Sequence, residues 1–245
     1  MKRTALGIDI GGTFTKFGLT DIDGNVLMGG SIPTYTHKKI KSFLDALSDA
    51  IHMNLDQIHE PIDIIGVGVG APSGNYYKGT IEHAPNLHWK GIVPFLDMFS
   101  EYFDLPTILT NDANSAAIGE KVFGGAKELN DFIVVTLGTG LGSGLVTRGK
   151  LIYGHDGLAG ELGYTNVYPD GRECNCGKRG CLETYASASG IKRTVFNLLA
   201  TNNIDTPLRS YTYESLTAKK ITDMALQGDP IAFEAYEYTS DILGL

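Results

Sequence analysis

A β-forming run, a break of small residues dominated by glycine, and a second β-forming run occur twice in this chain of 245 residues. The first copy is Thr4 to Ile10, Gly11-Gly12-Thr13, then Phe14 to Thr20; the second is Phe132 to Leu137, Gly138 to Gly144, then Leu145 to Arg148. A loop of this kind presents backbone N–H groups with no Cβ in the way, and threonine adds a hydroxyl donor, so it suits a polyphosphate. A tight hairpin uses glycine equally well, so one copy alone says little. Two copies roughly a domain apart predict a duplicated α/β architecture with a cleft between the halves. The boundary falls near Gly125 to Asn130, giving an N-terminal domain over 1–125 and a C-terminal domain over 126–245. Glycine makes up 31 of the 245 residues, about twice its usual share, and these loops account for part of that excess.

Between the two copies the periodicity is mixed. Ile40, Phe43, Leu44, Leu47, Ile51, Leu55 and Ile58 recur at helical spacing within 38–59, which predicts a helix with one buried face. The apolar run Ile62 to Gly70 reads as a strand buried on both faces. A short strand over Thr107 to Leu109 leads into Asn111-Asp112-Ala113-Asn114, where Asn111 or Asp112 is placed to cap a helix running to about Phe123. Three further helices are expected over 182–200, 215–227 and from 229 onward. The last has no stop signal after Leu245, so a C-terminal truncation is the expectation.

Charge narrows the function classes. Twenty basic against 28 acidic residues leave a net charge of −8, which argues against a general nucleic-acid binder. No apolar stretch reaches the ~18 residues of a membrane span, and the N-terminus lacks a secretion pattern. A cytoplasmic soluble protein is the expectation. The only cysteines, Cys174, Cys176 and Cys181, fall within eight residues; such packing points to metal ligands rather than a disulfide framework. Two familiar nucleotide motifs do not apply. A strand, not a helix, follows the glycines at 140 and 142, and Gly144 to Lys150 matches P-loop spacing only until Leu151 stands where Ser or Thr must hold a metal.

Five segments, in order over residues 4 to about 190, carry a family resemblance. Ile8-Asp9-Ile10-Gly11-Gly12-Thr13, Thr110-Asn111-Asp112-Ala113-Asn114 and Leu137-Gly138-Thr139-Gly140-Leu141-Gly142-Ser143-Gly144 are three of them. Ala159-Gly160-Glu161-Leu162-Gly163 and Cys174-Asn175-Cys176-Gly177-Lys178-Arg179-Gly180-Cys181-Leu182-Glu183 complete the set. Together they resemble the ROK family of bacterial sugar kinases and repressors. The resemblance implies an α/β, two-domain actin-like ATPase (ribonuclease H-like) fold, shared with hexokinase, with ATP in the interdomain cleft. It also implies phosphorylation of a hexose or N-acetylhexosamine hydroxyl, with Asp112 as general base.

The site residues follow motif by motif. Gly11, Gly12, Thr13, Gly138, Thr139, Gly140 and Gly142 would hold the phosphates, and Asp9 a Mg²⁺ ion through water. Lys16 reads equally as a phosphate ligand or a salt-bridged surface lysine. Asn111, Asp112, Glu161, Glu183 and Tyr164, with backbone near Gly74, would line the sugar. Bland readings stand beside these: Asp112 as a helix cap, Asp9 as a buried strand-end carboxylate, Glu183 as a first-turn helix acid, and Trp89 as core rather than a sugar platform. The resemblance also implies a homodimer.

The chain departs from the family at the metal. The three cysteines are the family's zinc ligands, but Tyr164 occupies the place of the histidine that supplies the fourth. Three outcomes stay open: zinc on three thiolates with water or a displaced ligand, His155 being the nearest upstream histidine; zinc with a Tyr164 phenolate; or no zinc, with the loop held by packing or a Cys174–Cys181 disulfide. Two alternatives to a kinase also stand, a non-catalytic or altered-specificity sugar-binding protein and a sugar-sensing repressor. The repressor reading is disfavoured by the acidic balance and by a first phosphate strand that begins at Thr4.

Overall fold

Leu6, Ile8 and Ile10 alternate with Ala5, Gly7 and Asp9, and this period of two organises the first sheet. The computed structural model describes all 245 residues. Strands β1 (Lys2–Ile10), β2 (Phe14–Asp21) and β3 (Val26–Pro33) form an antiparallel meander in which Asp9 stands opposite Lys16. Helix α1 (Ile40–Leu55) lies within the span its periodicity predicts and buries Phe43, Leu44, Leu47 and Ile51 in one core with Leu6, Ile8 and Ile10. Strand β4 (Ile62–Ala71) then pairs with β1 in parallel. Three short strands follow as a small antiparallel sheet, β5 (Gly74–Asn75), β6 (Thr80–Glu82) and β7 (Ile92–Val93), ahead of helix α2 (Phe95–Phe99). Strand β8 (Thr107–Asn111) adds in parallel to β4, so the main sheet runs β3-β2-β1-β4-β8.

The expectation that β4 is buried on both faces is corrected. Val67 and Val69 are buried, whereas Ile65 is 46% exposed. Helix α1 covers one face; on the other, nothing lies within 4 Å of the place a Cβ at Gly68 would take. The apolar run alone could not show that the face carrying Ile65 and Gly68 has nothing packed on it there.

Helix α3 (Asp112–Val122) starts directly after β8. The second strand–turn–strand copy forms β9 (Phe132–Leu137) and β10 (Leu141–Thr147), and with β11 (Lys150–Leu151) gives a sheet of order β11-β10-β9. The helix expected over 182–200 divides: residues Leu182–Thr184 form a 3₁₀ turn and α4 runs Ala188–Thr201. Ser187 causes the restart, its hydroxyl accepting from Gly190 N at 2.9 Å as an N-cap. Thr217 and Asp229 likewise cap α5 (Ala218–Leu226) and α6 (Pro230–Leu243). Ile191, Val195, Leu208, Leu216, Ile221 and Ile231 make the core of this helical part.

The chain forms two compact units: residues Met1–Val134 with Gly144–Gly160, and residues Val135–Ser143 with Glu161–Leu245. No helix is long and apolar enough to cross a membrane.

Candidate active site

Within the first unit, three parallel strands end side by side. Asp9 on β1 is level with Gly70 on β4, and Gly70 with Thr110 on β8. Asn111 and Asp112 follow at the strand-to-helix junction. Asn111 is the N-cap of α3, its side-chain oxygen accepting from Ala113 N at 2.8 Å, and Asp112 Oδ1 accepts from the same N–H at 2.9 Å. Capping therefore already rests on Asn111, and Asp112 is not needed for it.

Gly70 was not singled out by sequence reasoning. A Cβ there would lie 2.7 Å from Ser115 Oγ and 3.4 Å from the Asp112 Cα, so glycine lets the first turn of α3 close onto the sheet beside Asp9. Its signal was the alternation of Gly66, Gly68 and Gly70. Asp112 reaches solvent, yet protein crowds its carboxylate enough that desolvation is the first cause raising its pKa, with the like charge of Asp9 adding to it against the Ala113 hydrogen bond. That coupling places the two carboxylates in one electrostatic neighbourhood.

Asp9 is itself exposed rather than buried, and so is Lys16 opposite it. The first turn is closed by Gly11 N donating to Phe14 O at 3.0 Å, and Thr13 O accepts from Thr34 N at 2.9 Å. Gly74 packs directly on the backbone of Thr110, where a Cβ would come within 2.5 Å of the Thr110 carbonyl oxygen. Trp89 is core: it is buried, its ring lies 4.6 Å from that of Phe43, and its Nε1 donates to His37 O at 3.1 Å.

The second unit gathers the other candidates. Gly138 N donates to Gly140 O at 3.0 Å, closing the second turn. The start of α4 holds that turn, with Ala188 N donating to Gly138 O at 2.9 Å and Ser189 Oγ to Thr139 O at 2.7 Å. The positive end of a 14-residue helix thus stands at the turn, an arrangement favourable to an anion. Gly142 follows, half-buried in β10. Glu183 lies in the 3₁₀ turn rather than on α4, and it bridges two motifs: its Oε1 accepts from Cys174 Sγ at 3.1 Å, and its Oε2 lies 2.6 Å from where a Cβ on Gly140 would sit. Glu161 precedes the 3₁₀ turn Leu162–Tyr164, its carbonyl accepting from Tyr164 N at 3.1 Å. Burial, followed by the carboxylates of Glu183 and Glu161, pushes the Tyr164 hydroxyl up to about 12. It stands as a neutral phenol at physiological pH.

The cysteine thiols converge, all within 4.8 Å of one another, with Cys176 and Cys181 Sγ 3.6 Å apart. Two thiolates on a tetrahedral zinc at the usual Zn–S length would stand about 3.8 Å apart, so the three thiols fit three of the four positions around the ion. All three are free thiols. Burial pushes Cys174 and Cys181 up. Burial opposes ionisation of Cys176 too, but the Lys178 N–H and the neighbouring thiols outweigh it and bring Cys176 down. His155 belongs to the first unit, where its exposed ring lies 3.7 Å from Asp156.

The sequence profile of the ROK family matches residues 5–245. The chain belongs to the ROK family. It is 35% identical to a glucokinase of Halalkalibacterium halodurans over 99% of this chain and 74% of that protein. A xylose repressor of Caldicellulosiruptor bescii is 31% identical over 98% of this chain and 60% of its own length. Among solved structures, a ROK family glucokinase from Streptomyces griseus in complex with glucose and AMPPNP superposes with a TM-score of 0.82 at 32% identity, covering 98% of this chain and 77% of that one. The α/β, actin-like fold expected from the motifs is therefore that of this ROK chain.

Proposed function

We propose that this ROK protein is an ATP-dependent kinase acting on a hydroxyl of a hexose or N-acetylhexosamine, with Asp112 as general base. The observation that carries this reading is the carboxylate of Asp112: crowded by protein, close enough to Asp9 to feel its charge, and sharing the capping of Ala113 N with Asn111. Phosphoryl transfer to an alcohol needs positioning, charge neutralisation and a base, and little covalent participation. A base with a raised pKa holds a proton more readily once it takes one from the sugar hydroxyl. The glucokinase relatives, one of them holding glucose and AMPPNP, support the same assignment.

The remaining roles follow from chemistry. Asn111 and the Gly74 backbone in the first unit, and Glu161, Tyr164 and Glu183 in the second, are the groups whose chemistry suits sugar hydroxyls. Gly11, Gly12, Thr13, Gly138, Thr139, Gly140 and Gly142 offer N–H groups to phosphate oxygens, with Lys16 as a peripheral cation. Asp9, an exposed carboxylate beside a second one, fits a hard divalent cation through water, and Mg²⁺ bound there would neutralise phosphate charge. Cys174, Cys176 and Cys181 would hold a structural zinc ion that stiffens the loop leading to Glu183.

The test is ADP release from ATP and Mg²⁺ across a panel of hexoses and N-acetylhexosamines, with wild-type protein and Asp112→Asn. Sugar-dependent release by the wild type alone is expected. Release that ignores the sugar, or persists undiminished in the variant, overturns the assignment. A second reading, sugar binding without turnover, is favoured by one feature, the neutral phenol of Tyr164 among the sugar-side carboxylates; calorimetry showing hexose binding but no ATP binding would select it.

A further inference from the structure

Asn75 is 2% exposed, and no motif above uses it. Its side-chain oxygen accepts from Tyr77 N at 3.1 Å and Lys78 N at 3.2 Å, an Asx turn that shapes the β5–β6 hairpin. Its amide nitrogen reaches 81 residues along the chain to donate to the Asp156 carbonyl at 3.1 Å. A second fastening holds the near end of the same loop: the Tyr153 ring stacks on Tyr76, with centroids 4.1 Å apart and planes inclined by 14°. Residue 157 is glycine on two counts. Its φ is +79°, and a Cβ would come 3.1 Å from Asn75 Oδ1.

Asn75 thus ties two segments of the first unit together: the Gly74 wall, which packs on the β8 end that carries Asn111 and Asp112, and the 153–157 loop that leads to Glu161. We infer that Asn75 is a positioning residue for sugar binding: it clasps the 153–157 loop to the Gly74–Thr110 wall and so sets the shape of the sugar-facing surface. The inference rests on the sugar-kinase reading. Asn75 is buried and its amide is taken up by the turn and the loop, so its loss is expected to act on sugar affinity through the loop and to leave the nucleotide side alone.

Asn75→Ser separates the clasp from the hairpin, because a serine hydroxyl can still accept from the turn N–H groups but is too short to reach Asp156. The full chain carrying this change is expected to keep its fold and its KM for ATP. Its KM for the sugar should rise about tenfold, the size of one lost hydrogen bond, and amide exchange over 153–160 should accelerate. Gly157→Ala attacks the same contact from the other side and should do the same. The double variant should be no worse than the poorer single one, since the two share one contact. A folded Asn75→Ser protein with unchanged sugar KM and unchanged loop exchange overturns the inference, as does an equal rise in both KM values. A wild type that releases no ADP with any sugar fails the kinase reading instead, and the exchange measurement then still decides whether the clasp exists.

Discussion

The two strand–turn–strand copies look alike in sequence and are used differently by the fold. Strand β1 lies inside its sheet, paired with β2 on one side and β4 on the other. Strand β9 is an edge, paired only with β10. Ile8 and Val135 each stand three residues before the first glycine of their turn, yet Ile8 is 3% exposed and Val135 38%. The turns differ in the same sense. A Cβ on Gly11 would lie 2.7 Å from Phe14 O, and one on Gly12 2.8 Å from Asn86 O, both backbone atoms that cannot swing away. At Gly138 nothing lies within 4 Å. Packing therefore accounts for glycine in the first turn and not at the head of the second. The fold makes no steric demand at Gly138; under the proposed function, a phosphate approaching that backbone accounts for the missing Cβ.

The largest expected effect falls on the sheet that β1 anchors. Asp112→Asn should cut sugar-dependent turnover by about 10²–10⁴-fold, while Asn Oδ1 still accepts from Ala113 N. Stability should move the other way. A carboxylate whose folded pKa is raised stabilises the fold at pH below its unfolded value of about 3.9, and that contribution is lost as pH rises through the folded pKa. The variant removes a crowded carboxylate that the like charge of Asp9 disfavours, so at neutral pH it should melt no lower than the wild type. For the same reason, wild-type activity should fall on acidification at a pH above the ordinary carboxylate range. A variant that loses both activity and melting temperature would show Asp112 to be structural.

What was legible from sequence follows the same contrast. The motif order marked Asp9, Asn111, Asp112 and the two turns, because short polar or glycine segments bounded by apolar runs stand out without tertiary information. The single long helix over 182–200 did not survive, since Ser187 caps a new start that only its bond to Gly190 N reveals. The far side of β4 was misjudged because periodicity counts apolar residues and not what lies opposite them. Gly70, Asn75 and Tyr153 were missed for a third reason. Each matters through a partner distant in sequence, Ser115, Asp156 and Tyr76 respectively, and no local pattern encodes such a pairing.

The turns themselves give the next contrast. Gly12→Ala forces a methyl against the Asn86 carbonyl and should cost about 1–3 kcal/mol, as overpacking does. Gly138→Ala meets open space, so its effect on unfolding should stay within about 0.5 kcal/mol. Under the proposed function it should nonetheless raise the KM for ATP and leave the sugar KM unchanged. Denaturant unfolding and steady-state kinetics on the two proteins separate these outcomes. Equal destabilisation by both would erase the distinction between the turns, and an unmoved ATP KM in Gly138→Ala would remove the ligand explanation for that glycine.

Val135→Thr should have the smallest effect of all. The side chain sits on an edge strand and is partly solvated, threonine is a good strand former with nearly the same shape, and its hydroxyl can reach water, so no buried polar group is created. The change in unfolding free energy should lie within about 0.5 kcal/mol. A loss several times larger would mean that β9 is sheltered in solution by something that covers its exposed side chains, and the contrast between an enclosed first copy and an open second one would then have to be abandoned.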